Sequence, residues 1–170
     1  MAADSAGGKG LRIGHGFDVH AFAPGRRLVL GGVEIPCERG LDGHSDADVV
    51  LHAVADAVLG AVRGGDIGKL FPDTDPAYEG ADSSVLLSHV MGLARSWGFE
   101  LVDCDCTVAA QAPRLSPYRD LMRERIAAAL GVDASSVGLK ATTTEHLGFV
   151  GREEGIAAWA VVLMAGPSGR

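Results

Sequence analysis

Gly155-Ile156-Ala157-Ala158-Trp159-Ala160-Val161-Val162-Leu163-Met164 decides how this chain must fold. Side chains of a strand alternate between two faces. Here both sets are apolar: Ile156, Ala158, Ala160 and Val162 on one, Ala157, Trp159, Val161 and Leu163 on the other. A sheet with helices on one side needs a single apolar face, so the other must be covered by something else. A second copy of the chain is the economical cover, and a homo-oligomer is expected.

Working outward, residues 137–143 read as a strand, preceded by a helix that opens at Ser116-Pro117 and stops at Gly131. Residues 100–110 alternate, with Val102, Cys104, Cys106 and Val108 facing inward and Asp103, Asp105 and Thr107 outward. Leu86, Val90, Leu93, Ala94 and Trp97 make the buried stripe of a helix starting at Asp82 or Ser83 and stopped by Gly98. Another helix is expected over residues 45–62, capped by Ser45. Leu28-Val29-Leu30 and Val33-Glu34-Ile35 flank Gly31-Gly32 as a tight hairpin, and residues 11–23 form the first strand. Strands and helices mix as α+β, a ferredoxin-like sandwich in which one mixed sheet is backed by helices. No repeat or linker interrupts residues 11–165, read as one domain between flexible tails at 1–10 and 166–170.

The 170 residues carry 15 Lys and Arg against 22 Asp and Glu, a net charge of −7, and only three lysines. No basic run offers a nucleic-acid footprint. Such a protein handles phosphates with metal ions, backbone amides or a few placed arginines. Three cysteines, two of them in Cys104-Asp105-Cys106, suit reduced core thiols better than a disulfide framework. With no asparagine there is no N-glycosylation site. Neither a signal peptide nor a membrane span is evident, and a cytoplasmic protein is expected.

Asp18-Val19-His20 lies in the first strand, where positions two apart share a face. With His52 they offer zinc one oxygen and two nitrogens and leave a fourth position open, the pattern of catalytic zinc. The alternative is a hydrogen-bonded histidine at a helix–sheet contact. Asp48 and Asp56, one helical turn either side of His52, are candidates to hold its second ring nitrogen. His44-Ser45 reads either as an ordinary cap or as a phosphate-binding helix N-terminus. Thr142-Thr143-Thr144-Glu145 closes a strand with three hydroxyls and a carboxylate, the latter a candidate ligand for Mg²⁺ on a diphosphate. Arg152 either clamps a phosphate or pairs with Glu153 or Glu154. His15, His89 and His146 are taken as structural or solvent-facing. Gly14-His15-Gly16 lacks a third glycine and Gly68-Lys69 lacks a following Ser or Thr, so neither nucleotide-binding motif is supported.

Taken together, these segments resemble one family, 2-C-methyl-D-erythritol 2,4-cyclodiphosphate synthase of the non-mevalonate isoprenoid route. The likeness rests on residues 12–20, on Gly43-His44-Ser45-Asp46-Ala47-Asp48 with His52, and on residues 65–75. It continues through Ala110-Gln111-Ala112-Pro113, residues 140–145, Leu147-Gly148-Phe149 and Gly151-Arg152. The resemblance implies a homotrimer with active sites between subunits and a small cytidine diphosphate substrate. It implies Zn²⁺ or another divalent cation on Asp18, His20 and His52, and Mg²⁺ or Mn²⁺ on the substrate diphosphate at Glu145. His44 and Thr143 would be catalytic and Ser45 would hold phosphate. Asp66, Ile67, Gly68, Phe71, Pro72, Asp73, Thr74 and Asp75 would border the substrate, with Phe149 and Arg152. Ala110, Gln111, Ala112, Pro113, Arg114, Leu115 and Ser116, with Thr142 and Thr144, would receive the nucleotide. Arg114 stands where the family often has lysine, and Glu153 where a small residue is common. A metal-dependent phosphohydrolase and a non-catalytic metal- or nucleotide-binding scaffold are the competing readings.

Overall fold

A computed structural model describes residues 9–168 apart from positions 73 and 79. In chain order the elements are β1 (Lys9–Pro24), β2 (Leu28–Leu30), β3 (Val33–Ile35), β4 (Arg39–Leu41), α1 (Val49–Val62) and α2 (Ile67–Leu70). There follow α3 (Ser83–Ser96), β5 (Glu100–Ala109), α4 (Arg119–Leu130), β6 (Val137–Thr142), α5 (Gly148–Gly151) and β7 (Gly155–Pro167).

One mixed sheet has the order β4-β1-β7-β5-β6, and β2 pairs with β3 as a separate hairpin. β7 is antiparallel to both β1 and β5, while β5 and β6 run parallel. β1 and β5 therefore point the same way with β7 between them, a split β-α-β unit whose crossover carries α1 and α3. α1 lies on β1 and β7, α3 on α1, and α4 on β6 and α3. The β1–β7 ladder takes in Lys9, Gly10, Gly166 and Pro167, residues that the sequence assigns to tails.

Closeness of α1 to β1 is set by glycine. A Cβ on Gly14 would lie 1.8 Å from the Ala57 carbonyl oxygen, and one on Gly16 would lie 1.9 Å from that of Ala53. Backbone therefore meets backbone, and the alanines and valines of α1 are buried on nearly every side. Helix α1 starts at Val49 rather than Ser45 because Ala47 adopts a left-handed φ of 57°, which no helix continues. Asp48 is its cap, accepting from Val50 N and Leu51 N, both at 3.1 Å.

The same fully buried carboxylate accepts from Gly31 N at 2.8 Å and Gly32 N at 2.6 Å. Both glycines have positive φ, as a two-residue hairpin turn requires. Burial and the neighbouring Asp46 charge push the Asp48 pKa up to about 6, against the pull of these amides. Asp48→Ala removes a helix cap and orphans two hairpin amides, the buried one of Gly31 and the half-buried one of Gly32. The expected cost is about 2–4 kcal/mol, checked by urea unfolding, and Asp48→Asn should recover part of it.

On the side away from the helices, the β1–β7 part of the sheet is exposed and largely apolar, while β5 and β6 present Asp103, Asp105 and Lys140. Leu11, Ile13, Phe17 and Val19 of β1 are exposed, as are Trp159 and Val161 of β7. Phe17 and Trp159 are paired across the ladder with ring centroids 5.2 Å apart. Of the second set on β7, Ala157 alone is fully covered, by Val150 of α5 and Ala109. Other sequence expectations need correction. Val102 is exposed because the β5–β7 register shifts between Leu101 and Asp103. Residues 115–118 form a turn, Tyr118 N donating to Leu115 O at 3.0 Å, so α4 begins at Arg119 and not at Pro117. Strand β4 was not anticipated. Cys104 and Cys106 are free and buried as expected, whereas the free thiol of Cys37 is exposed.

Candidate metal centre and substrate pocket

Every second residue of β1 from Gly14 faces the helices, so Gly14, Gly16, Asp18 and His20 follow one another along one face. The two glycines sit beneath α1, and the next two positions emerge beside its first turn, which carries His52. His52 Nδ1 lies 3.0 Å from Asp18 Oδ2, His20 Nε2 lies 3.0 Å from the same oxygen, and the two nitrogens are 3.3 Å apart. A tetrahedral ion with bonds of about 2.0–2.1 Å holds its ligand atoms about 3.3 Å apart. The three residues, all half-buried, are the group among the described residues able to hold a metal ion.

Burial works to raise the Asp18 carboxyl, but hydrogen bonds from His20 and His52, and their charge, hold it well below the usual carboxylate range. His20 is driven the other way: burial lowers it, and Asp18 together with the Asp42 carbonyl raises it above an ordinary histidine. His20 Nδ1 donates to Asp42 O at 2.5 Å, which turns Nε2 toward Asp18. His52 is held on its outer side by serines, not by the expected carboxylates. Its Nε2 lies 2.9 Å from Ser83 Oγ and 3.2 Å from Ser45 Oγ. Asp48 is consumed as the helix cap, and Asp56 accepts from Ile67 N at 2.7 Å.

A cavity of about 280 Å³ opens against this cluster, lined by His20, His44, Ser45, His52, Ile67, Gly68, Phe71 and Tyr78. His44 and Ser45 precede α1 in a non-helical segment, so they do not form a helix N-terminus. His44 Nε2 donates to Asp75 O at 3.2 Å. Asp66 caps the single turn α2, accepting from Lys69 N at 2.8 Å. Phe71 packs edge-on against Tyr78 and His89, which gives His89 a packing role. Pro72 and Thr74 are exposed. Asp73 lies outside the described residues.

The remaining candidates gather elsewhere. Ala110, Gln111, Pro113, Arg114, Leu115 and Ser116 line a second cavity of about 450 Å³ with Thr142 and Thr143, across the ends of β5 and β6. It shares no lining residue with the first. Ala112 precedes Pro113 through a cis peptide. Gln111 Oε1 accepts from His146 N at 3.2 Å, Thr144 Oγ1 donates to Leu147 O at 2.7 Å, and Thr143 Oγ1 donates to Glu145 Oε1 at 2.6 Å. Phe149 is exposed. Arg152 makes a two-armed ion pair with Glu154, at 2.8 and 3.0 Å, while Glu153 turns away to Arg39 at 3.3 Å. Glu153 therefore leaves Arg152 untouched, and Glu154 is what a phosphate would have to displace.

Reading the sequence missed Ser83 and Asp46. Asp46 Oδ1 accepts from Ser83 Oγ at 2.5 Å and Oδ2 from Ser83 N at 3.1 Å. In the sequence Ser83 stands out only as a helix start and Asp46 only as a member of the segment 43–48, and no local spacing links two positions 37 residues apart.

Comparison with known proteins agrees with this geometry. The model of the YgbB family matches residues 11–165. A 2-C-methyl-D-erythritol 2,4-cyclodiphosphate synthase of Geotalea daltonii is 63% identical over 154 residues, covering 91% of this chain and 90% of its own. The solved bifunctional IspDF of Campylobacter jejuni superposes with a TM-score of 0.89 at 44% identity; the match covers 93% of this chain and 43% of that one, which is therefore more than twice as long. The IspF–CDP complex of Plasmodium falciparum gives 0.81 at 31% identity, covering 94% and 98%. The chain belongs to the YgbB family, whose members include the 2-C-methyl-D-erythritol 2,4-cyclodiphosphate synthases of isoprenoid biosynthesis.

Proposed function

We propose that this chain converts 4-diphosphocytidyl-2-C-methyl-D-erythritol 2-phosphate into 2-C-methyl-D-erythritol 2,4-cyclodiphosphate and CMP. An oxygen of the 2-phosphate attacks the β-phosphorus, the α–β anhydride bond breaks, and CMP leaves with the bridging oxygen. The observation that carries the reading is the convergence of Asp18, His20 and His52 within 3.0–3.3 Å, with His20 and His52 lining the adjoining cavity.

The residues present fit a divalent cation. With their outer nitrogens engaged, His20 by Asp42 and His52 by Ser83, the two inner nitrogens and Asp18 Oδ2 would turn their lone pairs to one ion once it displaces the protons they share. Asp18, His20 and His52 would hold it, with zinc the natural choice for an O,N,N set. When bound, such an ion neutralises phosphate oxygens where charge builds up. His44 and Ser45 line the same cavity and offer hydrogen bonds to the phosphate that is folded back. Thr143 and Glu145 form a hydroxyl–carboxylate pair suited to a phosphate and its Mg²⁺. Orienting the two phosphates against each other is the larger part of the work. Well-oriented internal reactions reach effective molarities of about 10⁵–10⁸ M, roughly 7–11 kcal/mol of barrier. Ile67, Gly68 and Phe71 suit the methylerythritol part, and the second cavity with Arg114 and Ser116 suits the cytidine.

His44 and Thr143 line different cavities, so one chain does not bring the two halves together. This favours a site completed by a neighbouring subunit, within a homotrimer whose bare apolar sheet faces meet around the axis. The split β-α-β unit supports the ferredoxin-like description, and the acidic, lysine-poor surface suits a cytoplasmic enzyme. Ile13→Glu places charge on the bare sheet face without touching either cavity. It is expected to yield smaller species by light scattering and to cut turnover at least 10-fold; an oligomer of unchanged mass would count against this face.

The activity itself is tested by incubating the chain with the diphosphocytidyl substrate, Mg²⁺ and Zn²⁺ and following phosphorus NMR. Both phosphates should appear in one ring together with free CMP. Linear phosphate products would mean hydrolysis, and unchanged substrate would mean a binding scaffold.

A further inference from the structure

We infer that Gln111 is a positioning residue: its amide holds the Thr144–Leu147 turn, and with it the Thr143–Glu145 pair, in place. The turn is closed by Leu147 N, which donates to Thr144 O at 2.9 Å. Both of its central residues have positive φ, 51° at Glu145 and 63° at His146. Turns of that kind normally carry Asn and Gly there, because a Cβ is crowded at positive φ. Two full side chains make a costly turn, and such a conformation persists only where its surroundings impose it. What the turn delivers is the pair: Thr143 Oγ1 meets Glu145 Oε1 at 2.6 Å across its first residues. A relaxed backbone at 145 and 146 would redirect Glu145 away from Thr143.

Two contacts from outside the turn impose it. One is Gly151 of α5, which lies flush against His146: a Cβ there would fall 2.1 Å from the His146 carbonyl carbon and 2.7 Å from its oxygen. The other is Gln111, 35 residues away, whose Oε1 accepts from His146 N at 3.2 Å. A backbone N–H only donates, so Gln111 must face it with its oxygen. Gln111 stands one residue beyond Ala110, whose N donates to Thr142 O at 3.0 Å where the β5–β6 ladder ends. Thr143, Glu145 and His146 are exposed beyond that point, so hydrogen bonds more than packing must hold them. Gln111 lines the second cavity with Thr142 and Thr143, yet its acceptor atom is engaged by the turn. That the pair meets a phosphate rests on the function proposed above; the brace itself does not.

Two measurements on the intact chain separate these statements. Hydrogen exchange at the His146 amide, followed by nitrogen-15 NMR without ligand, reads the brace. CMP affinity by calorimetry, beside kcat and KM for the diphosphocytidyl substrate, reads its use. In Gln111→Met, which keeps the length and loses the acceptor, the amide should exchange about 10-fold faster, the worth of one modest hydrogen bond. Gln111→Glu keeps an acceptor oxygen and should keep the protection. Turnover of Gln111→Met should fall about 10-fold or more as Thr143 and Glu145 are misplaced, with CMP affinity and KM within about 2-fold. A nucleotide contact would do the reverse, raising KM and the CMP Kd and sparing kcat. A thermal melt confirms folding, and Gln111→Ala takes the place of the Met variant if that one fails to fold. Unchanged exchange on loss of the acceptor, or weakened CMP binding with kcat intact, would overturn the inference. Altered exchange in a chain that forms no cyclic product would uphold the brace and sink the reaction reading.

Discussion

His52→Ala is expected to give a folded chain that has lost its divalent cation and nearly all of its turnover. The helix bearing His52 is held by the Asp48 cap and by buried alanines and valines on most of its sides, none of which depends on the imidazole. Stability should therefore change by only about 1 kcal/mol. Cation affinity is another matter. Loss of an outer partner typically costs about 10–100-fold, and loss of one of three direct ligands should exceed that. Charge stabilisation by a bound ion is worth several kcal/mol, and about 4 kcal/mol corresponds to roughly 10³-fold in rate. Chelator competition and CMP release, measured on the same preparation, check both halves. A variant that turns over normally without zinc would remove the cation from the reaction.

The candidate ligand set was legible in part because two of its members obey a short periodicity. Asp18 and His20 stand two apart in a strand and must share a face. The partners of His52 were not legible by the same logic. Four-residue steps put Asp48 and Asp56 on its helical face, but that argument assumes that all three lie inside the helix. The left-handed Ala47 starts the helix late, turning Asp48 into a cap, and Asp56 is drawn to the Ile67 amide. Ser83 arrives from another helix through tertiary packing alone. In the same way, the two cavities are each readable as motifs, but only the topology shows that they stand apart, one beside β1 and α1 and the other at β5 and β6.

For the fold, the long alternating or periodic stretches were read to within about four residues at each end, and the Gly-Gly signal gave the short β2–β3 hairpin its bounds, while β4 had no such signal. β4 is three residues long, too short to alternate, and its Gly40 is pressed against the Arg27 carbonyl, a contact no local pattern announces. The bulge that exposes Val102 is likewise a matter of register with β7. The doubly apolar β7 was informative because its excess has no outlet within one chain. Helices cover Ile156, Ala158, Ala160 and Val162, and Trp159 and Val161 are left in the open.

Gly16→Ala is the substitution expected to damage the fold most for its size. The added methyl would lie 1.9 Å from the Ala53 oxygen, 2.7 Å from Ala57 N and 2.9 Å from the Ala53 carbonyl carbon, all backbone atoms. No side chain can swing aside, so α1 must lift from β1 by more than an ångström or the strand must leave the sheet. Either movement opens the contact between α1 and the β1–β7 pair at the centre of the core. Ordinary overpacking costs about 1–3 kcal/mol with some freedom to relax. With none, the cost should exceed about 4 kcal/mol, a large part of the roughly 5–15 kcal/mol that holds a domain folded. At about 2–4 °C per kcal/mol for a chain of this size, Tm should fall by at least about 8 °C. Whatever folds should also bind Zn²⁺ poorly, because lifting α1 carries His52 away from Asp18 and His20. Gly92→Ala is the control: it lies within α3, with nothing inside 4 Å of the new methyl, and should gain up to about 1 kcal/mol from the lower entropy of the unfolded chain. A Gly16→Ala protein melting within a few degrees of the unmodified chain would show that α1 rides higher on β1 than these distances state, and the reach from His52 to Asp18 would then be open to question as well.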